Sequence, residues 1–339
     1  ALSFASLLAG GYPIRLSGQD SGRGTFSQRH SVLVDTETGE NFVPLNALGV
    51  KQAAYTVYDS MLSEAGILGF EYGYSLAQPR GHVIWEAQFG DFSNNAQAVI
   101  DLFIVSGETK WQRLSGLVLL LPHGMEGLGP EHSSARPERF LQLCAKDNLQ
   151  VCNPTLPSQY FHLLRRQLLV SYRKPLVILT PKSLLRHPMS VSNVKDLSEG
   201  KYHMVIDDPG GDENCRRLLL CSGKIYFELL KRRMDRKDED IAIVRLEQYY
   251  PFPKSDLKKI LSKYRNAKHW FWVQEEPGNM GAWNFLRNRL FNLSGRAFDY
   301  IGREPSSSPA TAFVNFFRKQ QEEILTKAVG PAPDSEKQE

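Results

Sequence analysis

A loop at Leu121–Arg139, LPHGMEGLGPEHSSARPER, gathers His123, Glu126, Glu131, His132 and Ser133 directly after an apolar run. Imidazoles, carboxylates and hydroxyls held together can carry protons to and from a bound molecule, and strand-tip loops are where such chemistry collects. Fixing its glycines costs chain entropy, so the loop has to be shaped closely. The plainer reading is a polar surface turn. A second candidate, Gly18–His30 (GQDSGRGTFSQRH), sets Gln19, Asp20, two arginines and a histidine among three glycines. That composition suits an anion or substrate loop, or a solvated connection.

Leu62-Ser63-Glu64 precedes AGILGFEYGYSLA, a glycine-punctuated helix that Ser63 can cap, with Glu64 in its first turn. A carboxylate there complements the helix dipole or, once partly desolvated, holds a proton on a cofactor; spacing alone favours the former. Trp85–Asp91 (WEAQFGD) and Phe92 set Gln88 and two rings, Phe89 and Phe92, at a strand tip. Such rings stack on a flat heterocycle or plug the core, and the core reading is ordinarily favoured. Arg165/Arg166 and Lys182/Arg186 suit a phosphorylated ligand or ordinary surface ion pairs. Cys221–Lys224 (CSGK) lacks the earlier glycine and following Ser/Thr of a P-loop and reads as a turn.

The elements that must position these residues are short apolar runs at Val83–Trp85, Gly116–Leu121, Pro175–Thr180, Arg217–Cys221, Ile241–Leu246 and His269–Val273. They alternate with helix-period segments, the pattern of parallel sheets covered on both faces. Ala96, Val99, Ile100 and Phe103 form one helical core stripe, and Phe161, Leu164, Leu168 and Leu169 another. The polar stretch 187–215 separates the first three strands from the second three and is the expected domain boundary. Lys231–Asp240 (KRRMDRKDED) reads as a solvated helix end, and the terminal GPAPDSEKQE as a disordered tail.

The 339 residues suffice for two domains, and 42% hydrophobic with 23% charged residues is ordinary globular composition. A net charge of +4, from 41 basic against 37 acidic residues, is too balanced to imply nucleic acid. Cys144, Cys152, Cys215 and Cys221 form no CxxC or Cys/His spacing, so buried thiols are expected and a metal site is not. No apolar run approaches the roughly 20 residues that cross a bilayer. The opening ALSFASLLAGG lacks the basic flank of a signal peptide and reads as a start inside a larger polypeptide.

Taken together, RLSGQDSGRGTFSQRH, LSEAGILGFEYGYS, WEAQFGDFSNNAQAVID, LLPHGMEGLGPEHSSARPERFLQLC, YFHLLRRQ, KPLVILTPKSLLRHP and QEEPGNMGAW closely resemble the C-terminal part of the thiamine-diphosphate-dependent 2-oxoglutarate dehydrogenases. The resemblance runs from Ala1 to about Val329. It implies an α/β fold: a parallel-sheet pyrimidine-binding domain over 1–200, then a transketolase C-terminal-like domain over 201–329, with 330–339 as the tail. Glu64 matches the glutamate that hydrogen-bonds the cofactor's aminopyrimidine nitrogen, which overrides the capping reading. Phe89 or Phe92 would stack on the pyrimidine, with Leu62 and Gln88 lining the pocket. His132, with Ser133 beside it, matches the histidine that binds the 2-oxo acid and assists acyl transfer. Gln19 and Asp20 match a substrate-side loop, and His123 suits a loop-structuring role. Arg166, with Lys182 and Arg186, matches a basic region that binds acetyl-coenzyme A or a nucleotide effector in some relatives.

The implied reaction is decarboxylation of 2-oxoglutarate on thiamine diphosphate, with transfer of the succinyl group to a lipoyl-lysine of dihydrolipoyl succinyltransferase, in the tricarboxylic acid cycle. The resemblance also implies a dimer, in bacterial cytoplasm or the mitochondrial matrix, with no nucleic acid or membrane partner. The Gly-Asp-Gly segment that holds magnesium and the diphosphate has no match: Gly90-Asp91 and Gly211-Asp212 lack the following glycine. The magnesium ligands are therefore expected outside this chain. Two alternatives remain: a sister dehydrogenase acting on 2-oxoadipate, or a catalytically silent dimerisation and effector module.

Overall fold

The computed structural model describes residues 1–330; positions 331–339 of the expected tail lie outside the described residues. Strands follow in the order β1 (Ile14–Gly18), β2 (Leu33–Val34), β3 (Asn41–Phe42), β4 (Tyr55–Asp59), β5 (His82–Glu86), β6 (Val118–Pro122), β7 (Gln150–Cys152) and β8 (Leu176–Thr180). They continue as β9 (Val205–Ile206), β10 (Arg217–Cys221), β11 (Ile241–Leu246), β12 (Gln248–Tyr250), β13 (His269–Pro277) and β14 (Asp299–Arg303). One sheet runs β12-β7-β8-β6-β5-β1-β4 and a second β14-β13-β10-β11-β9, while β2 and β3 form a separate hairpin pair. Pairing within the two large sheets is parallel except for β12 on β7 and β9 on β11.

Strand β6 shows why the central strands read as unbroken apolar runs. Leu119 and Leu121 face a core shared with Leu218 and Trp272 of the second sheet. Val118 and Leu120 face the opposite way, into a core with Phe4 and Leu7 of helix Leu2–Ala9 and Leu163 and Leu164 of helix Pro157–Leu169. With period-two alternation and both faces covered, every position must be apolar. The second sheet repeats the arrangement: Leu219 and Cys221 pack under helices Ile225–Arg236 and Val314–Ala328.

Strand order reverses around β1, which has β4 on one side and β5 on the other. Loops leaving the carboxyl ends of β1 and β5 therefore diverge and open a crevice, the usual ligand position in such sheets. The six expected strands all form. Those not anticipated, β1, β2, β3, β4, β7, β9, β12 and β14, are short or interrupted by polar residues, and β12 reaches the first sheet from the far side of the domain boundary expected at 187–215.

Three local expectations need correction. The stretch Ala96–Phe103 is not one regular helix: a tight turn over Gly90–Ala96 leads through Gln97–Val99 into a wide turn over Ile100–Ile104, leaving Phe103 exposed. Leu169 is also exposed, because it follows the buried Leu168 by one residue and so turns onto another helix face. Lys231–Asp240 is only partly solvated. The helix continues to Arg236, with Arg232 paired bidentately to Glu322 at 2.9 and 2.6 Å and Arg233 paired to the buried Asp208.

Candidate active site

The carboxyl end of β1 leads into the loop carrying Gln19 and Asp20, and that of β5 into Gln88, Phe89, Asp91 and Phe92. Gln88 Nε2 donates to Asp20 Oδ2 at 3.0 Å, joining the two loops across the crevice, while Gln19 lies half-buried beside them. Arg29 fastens the first loop to the β5 tip, donating to both Glu86 carboxylate oxygens at 2.6 and 2.5 Å and to the Ser21 carbonyl at 2.7 Å. Burial works against the Arg29 charge, but Glu86 outweighs it and raises the pKa above the ordinary value. Asp59, ending β4, accepts the Gly22 amide at 2.7 Å.

Glu64 opens helix Glu64–Ala77, where the Ser63 hydroxyl accepts the Gly66 amide. Its carboxylate is half-buried and accepts from Asn95 Nδ2 at 3.2 Å; Asn95 lies on the same Gly90–Ala96 turn as Phe92. Leu62 beside it is exposed. A carboxylate with one protein donor, next to exposed apolar surface and near an aromatic turn, fits a planar ring bearing a basic nitrogen.

His132 closes the crevice from the β6 side. Its ring meets Phe89 edge-on at 4.5 Å between centroids and Phe92 at 5.9 Å. Phe89 also touches Phe26 of the first loop at 5.5 Å and Phe92 at 5.8 Å. The backbone beside His132 is fixed by two buried charges. Lys182 Nζ donates to the His132 carbonyl at 2.6 Å and the Gly124 carbonyl at 2.9 Å. Asp91 Oδ1 accepts the Ser133 and Ser134 amides at 3.2 and 3.0 Å. Burial raises the Asp91 pKa against the pull of those amides, and lowers that of Lys182 against Glu126, Asp91 and Glu275.

His123 has the loop-structuring place expected of it. Its Nδ1 accepts the Ala135 amide at 3.1 Å, so Nε2 carries the hydrogen and donates to Glu276 Oε1 of β13 at 3.0 Å. Burial raises the Glu276 pKa, but His123 outweighs this and leaves it lowered. The reactive-loop candidate is thus tied to both sheets.

Residues 1–188 match the family model for the transketolase pyrimidine-binding domain. The chain belongs to the transketolase pyrimidine-binding-domain family. Residues 191–329 match a second model, the 2-oxoglutarate dehydrogenase C-terminal region. The 2-oxoglutarate dehydrogenase E1 component of Coxiella burnetii is 54% identical over 334 residues, covering 97% of this chain and 36% of that protein. The Cupriavidus necator protein of the same name is 52% identical over 335 residues (96% and 35%), and the Azotobacter vinelandii one 50% over 334 residues (96% and 35%). The chain spans about a third of the length of these relatives.

Within this pyrimidine-domain fold the structure brings Gln88 and Asp20 together, Glu64 onto the turn bearing Phe92, and His132 onto Phe89 and Phe92. It corrects two expectations. The Ser133 hydroxyl, expected at the substrate, is fully buried and donates to the Gly129 carbonyl at 2.6 Å, so it shapes the loop. Lys182, expected at an effector, is 5% exposed and bonded to the backbone of the His132 loop. Arg166 donates to Gln150 at 3.0 Å and Gln248 at 2.8 Å, bridging β7 and β12, whereas Arg186 donates to the Phe26 carbonyl at 2.9 Å. The three basic groups therefore serve three different sets of partners.

Sequence reasoning gave no site role to Arg29, Glu86, Asp91, Asn95 or Glu276. Each works through a partner distant in sequence. The one available signal was that four of them lie inside the strings quoted for the loops, and Glu276 in QEEPGNMGAW.

All four cysteines are free; Cys152, Cys215 and Cys221 are buried as expected, and Cys144 only partly. Among the described residues, no helix is long and apolar enough to cross a membrane.

Proposed function

We propose that this chain supplies the pyrimidine-side half of a thiamine-diphosphate-dependent 2-oxoglutarate dehydrogenase. The observation that carries this reading is the convergence of Glu64, Phe92 and His132 on the Gly90–Ala96 turn, in a chain 50% to 54% identical to proteins named 2-oxoglutarate dehydrogenase E1 component. In this reading residues 1–200 are the pyrimidine-binding domain and 201–329 the C-terminal domain. Diphosphate and magnesium are held elsewhere, by a further polypeptide segment or partner subunit in a dimer.

When bound, thiamine diphosphate supplies a carbon nucleophile and an electron sink. The Glu64 carboxyl holds a proton against the aminopyrimidine ring nitrogen, while Leu62 and Gln88 line the ring's pocket. Phe92 takes the stacking role, since Phe89 is already packed by Phe26, His132 and Phe92 itself. His132 binds the 2-oxo acid and moves a proton at its imidazole as the succinyl group passes to lipoyl-lysine. Gln19 and Asp20 border the substrate side. Arg166 and Arg186 already hold protein carbonyl and amide oxygens, so an acetyl-coenzyme A or nucleotide effector is not part of this proposal. The named relatives are bacterial, which favours the cytoplasm.

Glu64→Ala in the complete enzyme should abolish 2-oxoglutarate decarboxylation, and near-normal turnover would refute the assignment. Rates on 2-oxoglutarate and 2-oxoadipate, compared side by side, test the substrate. Calorimetric titration of this chain with magnesium and thiamine diphosphate tests whether it binds cofactor by itself.

A further inference from the structure

The His132–Ser133 peptide is held at both ends by buried opposite charges. Lys182 Nζ meets its carbonyl oxygen at 2.6 Å, and Asp91 Oδ1 meets its N–H at 3.2 Å and the next amide at 3.0 Å. Asp91 is 6% exposed and Lys182 5% exposed, so little water competes for either bond. Charge-assisted bonds in such surroundings are the stronger kind. The Asp91 segment also grips the His132 ring, because Phe89 and Phe92 flank Asp91. Gly90 lets that segment come close: a Cβ there would lie 2.5 Å from Ala135 Cβ and 2.6 Å from the Pro122 carbonyl oxygen.

We infer that Asp91 and Lys182 are positioning residues for His132, fixing its backbone from the β5 tip and the β8 tip so that its imidazole is presented to the bound 2-oxo acid. The inference rests on the reading of His132 given above. Lys182 spends two of its donors on carbonyls and Asp91 Oδ1 takes two amides, while Asp91 Oδ2 is buried without a hydrogen-bond partner among the described residues. Their effect is on where the imidazole sits. Small displacements of a proton carrier are costly to rate.

The test uses the complete enzyme carrying Asp91→Ala, Asp91→Asn and Lys182→Met, each alone and combined with His132→Ala. Succinyl transfer to a lipoyl domain and the KM for 2-oxoglutarate are measured, together with carbethoxylation of His132 by diethyl pyrocarbonate, followed by peptide mass spectrometry. Asp91→Ala and Lys182→Met should each slow transfer by about tenfold or more. On a His132→Ala background they should cost less than about twofold, because residues acting as a unit are not additive. Both should speed His132 carbethoxylation. Asp91→Asn keeps an acceptor oxygen for the two amides, so it should fold and retain most of the transfer rate. Losses that multiply with that of His132→Ala, together with an unchanged carbethoxylation rate, would overturn the inference. A fully active His132→Ala enzyme would instead overturn the role given to His132, while faster carbethoxylation in the clamp variants would still support the positioning.

Discussion

Replacing Glu247 by glutamine should remove a pH dependence that the fold imposes on its own stability. Glu247 lies between β11 and β12 where the chain passes from the second sheet to the first, and it is fully buried. Its carboxylate accepts the Thr155 amide at 2.8 Å and the Thr155 hydroxyl at 2.6 Å, and Arg245 donates to the same hydroxyl at 3.0 Å. Burial outweighs the help of Arg245 and Thr155 and pushes the pKa from 4.5 to about 7. A carboxyl whose folded pKa is raised binds its proton more tightly when native. Its contribution is fully present below the unfolded value and is lost as pH rises through the folded one. At about 1.4 kcal/mol per pH decade, the interval from 4.5 to about 7 amounts to roughly 3 kcal/mol.

Glutamine resembles the protonated acid and cannot ionise, so the variant should escape that loss. The assay is urea unfolding of both proteins across this pH interval. The buried His82, held down at about 3 by burial and Arg173, and the raised Asp91 and Glu138 titrate in both proteins and cancel in the comparison. The glutamine variant should gain stability relative to wild type as pH rises, by roughly 3 kcal/mol once Glu247 is ionised. A constant difference across the interval would refute the argument that burial holds the Glu247 proton.

Gly90→Ala should destabilise the protein by about 1–3 kcal/mol, because the new Cβ meets a backbone oxygen and another Cβ instead of a flexible side chain; a shift in the thermal midpoint reads this. Glu276→Ala strands the His123 Nε2 hydrogen in a buried site and should cost about 1–3 kcal/mol in urea unfolding. Glu276→Gln, which keeps an acceptor, should cost clearly less, and equal losses would argue against the bond. Arg29→Ala leaves Glu86 without its bidentate partner beneath the Gly18–His30 loop, and limited proteolysis should then cut that loop faster.

The amino-acid sequence by itself determined the central strands and the helix start at Glu64. Arg217–Cys221 and Ile241–Leu246 form strands at the expected residues because burial on both faces demands an unbroken apolar run. Ser63 caps its helix because the N-cap bond spans only three residues. It also placed Glu64, His132, Gln88 and the Phe89/Phe92 pair in the candidate site through long matching strings. Strands β2, β3, β7, β9 and β12 escaped detection because two or three residues are too few to show a period, and β1, β4 and β14 because polar residues interrupt their apolar positions. Only the tertiary structure decided which charges meet: Asp91 with the Ser133 amide 42 residues away, Lys182 with the His132 carbonyl 50 away, Arg29 with Glu86 57 away, and His123 with Glu276 153 away. It likewise moved Lys182 from an expected effector surface to the backbone of the His132 loop, and turned the Ser133 hydroxyl inward. Local periodicity reports burial, whereas these pairings depend on chain crossings that bring separate strand tips together, and no local pattern encodes them.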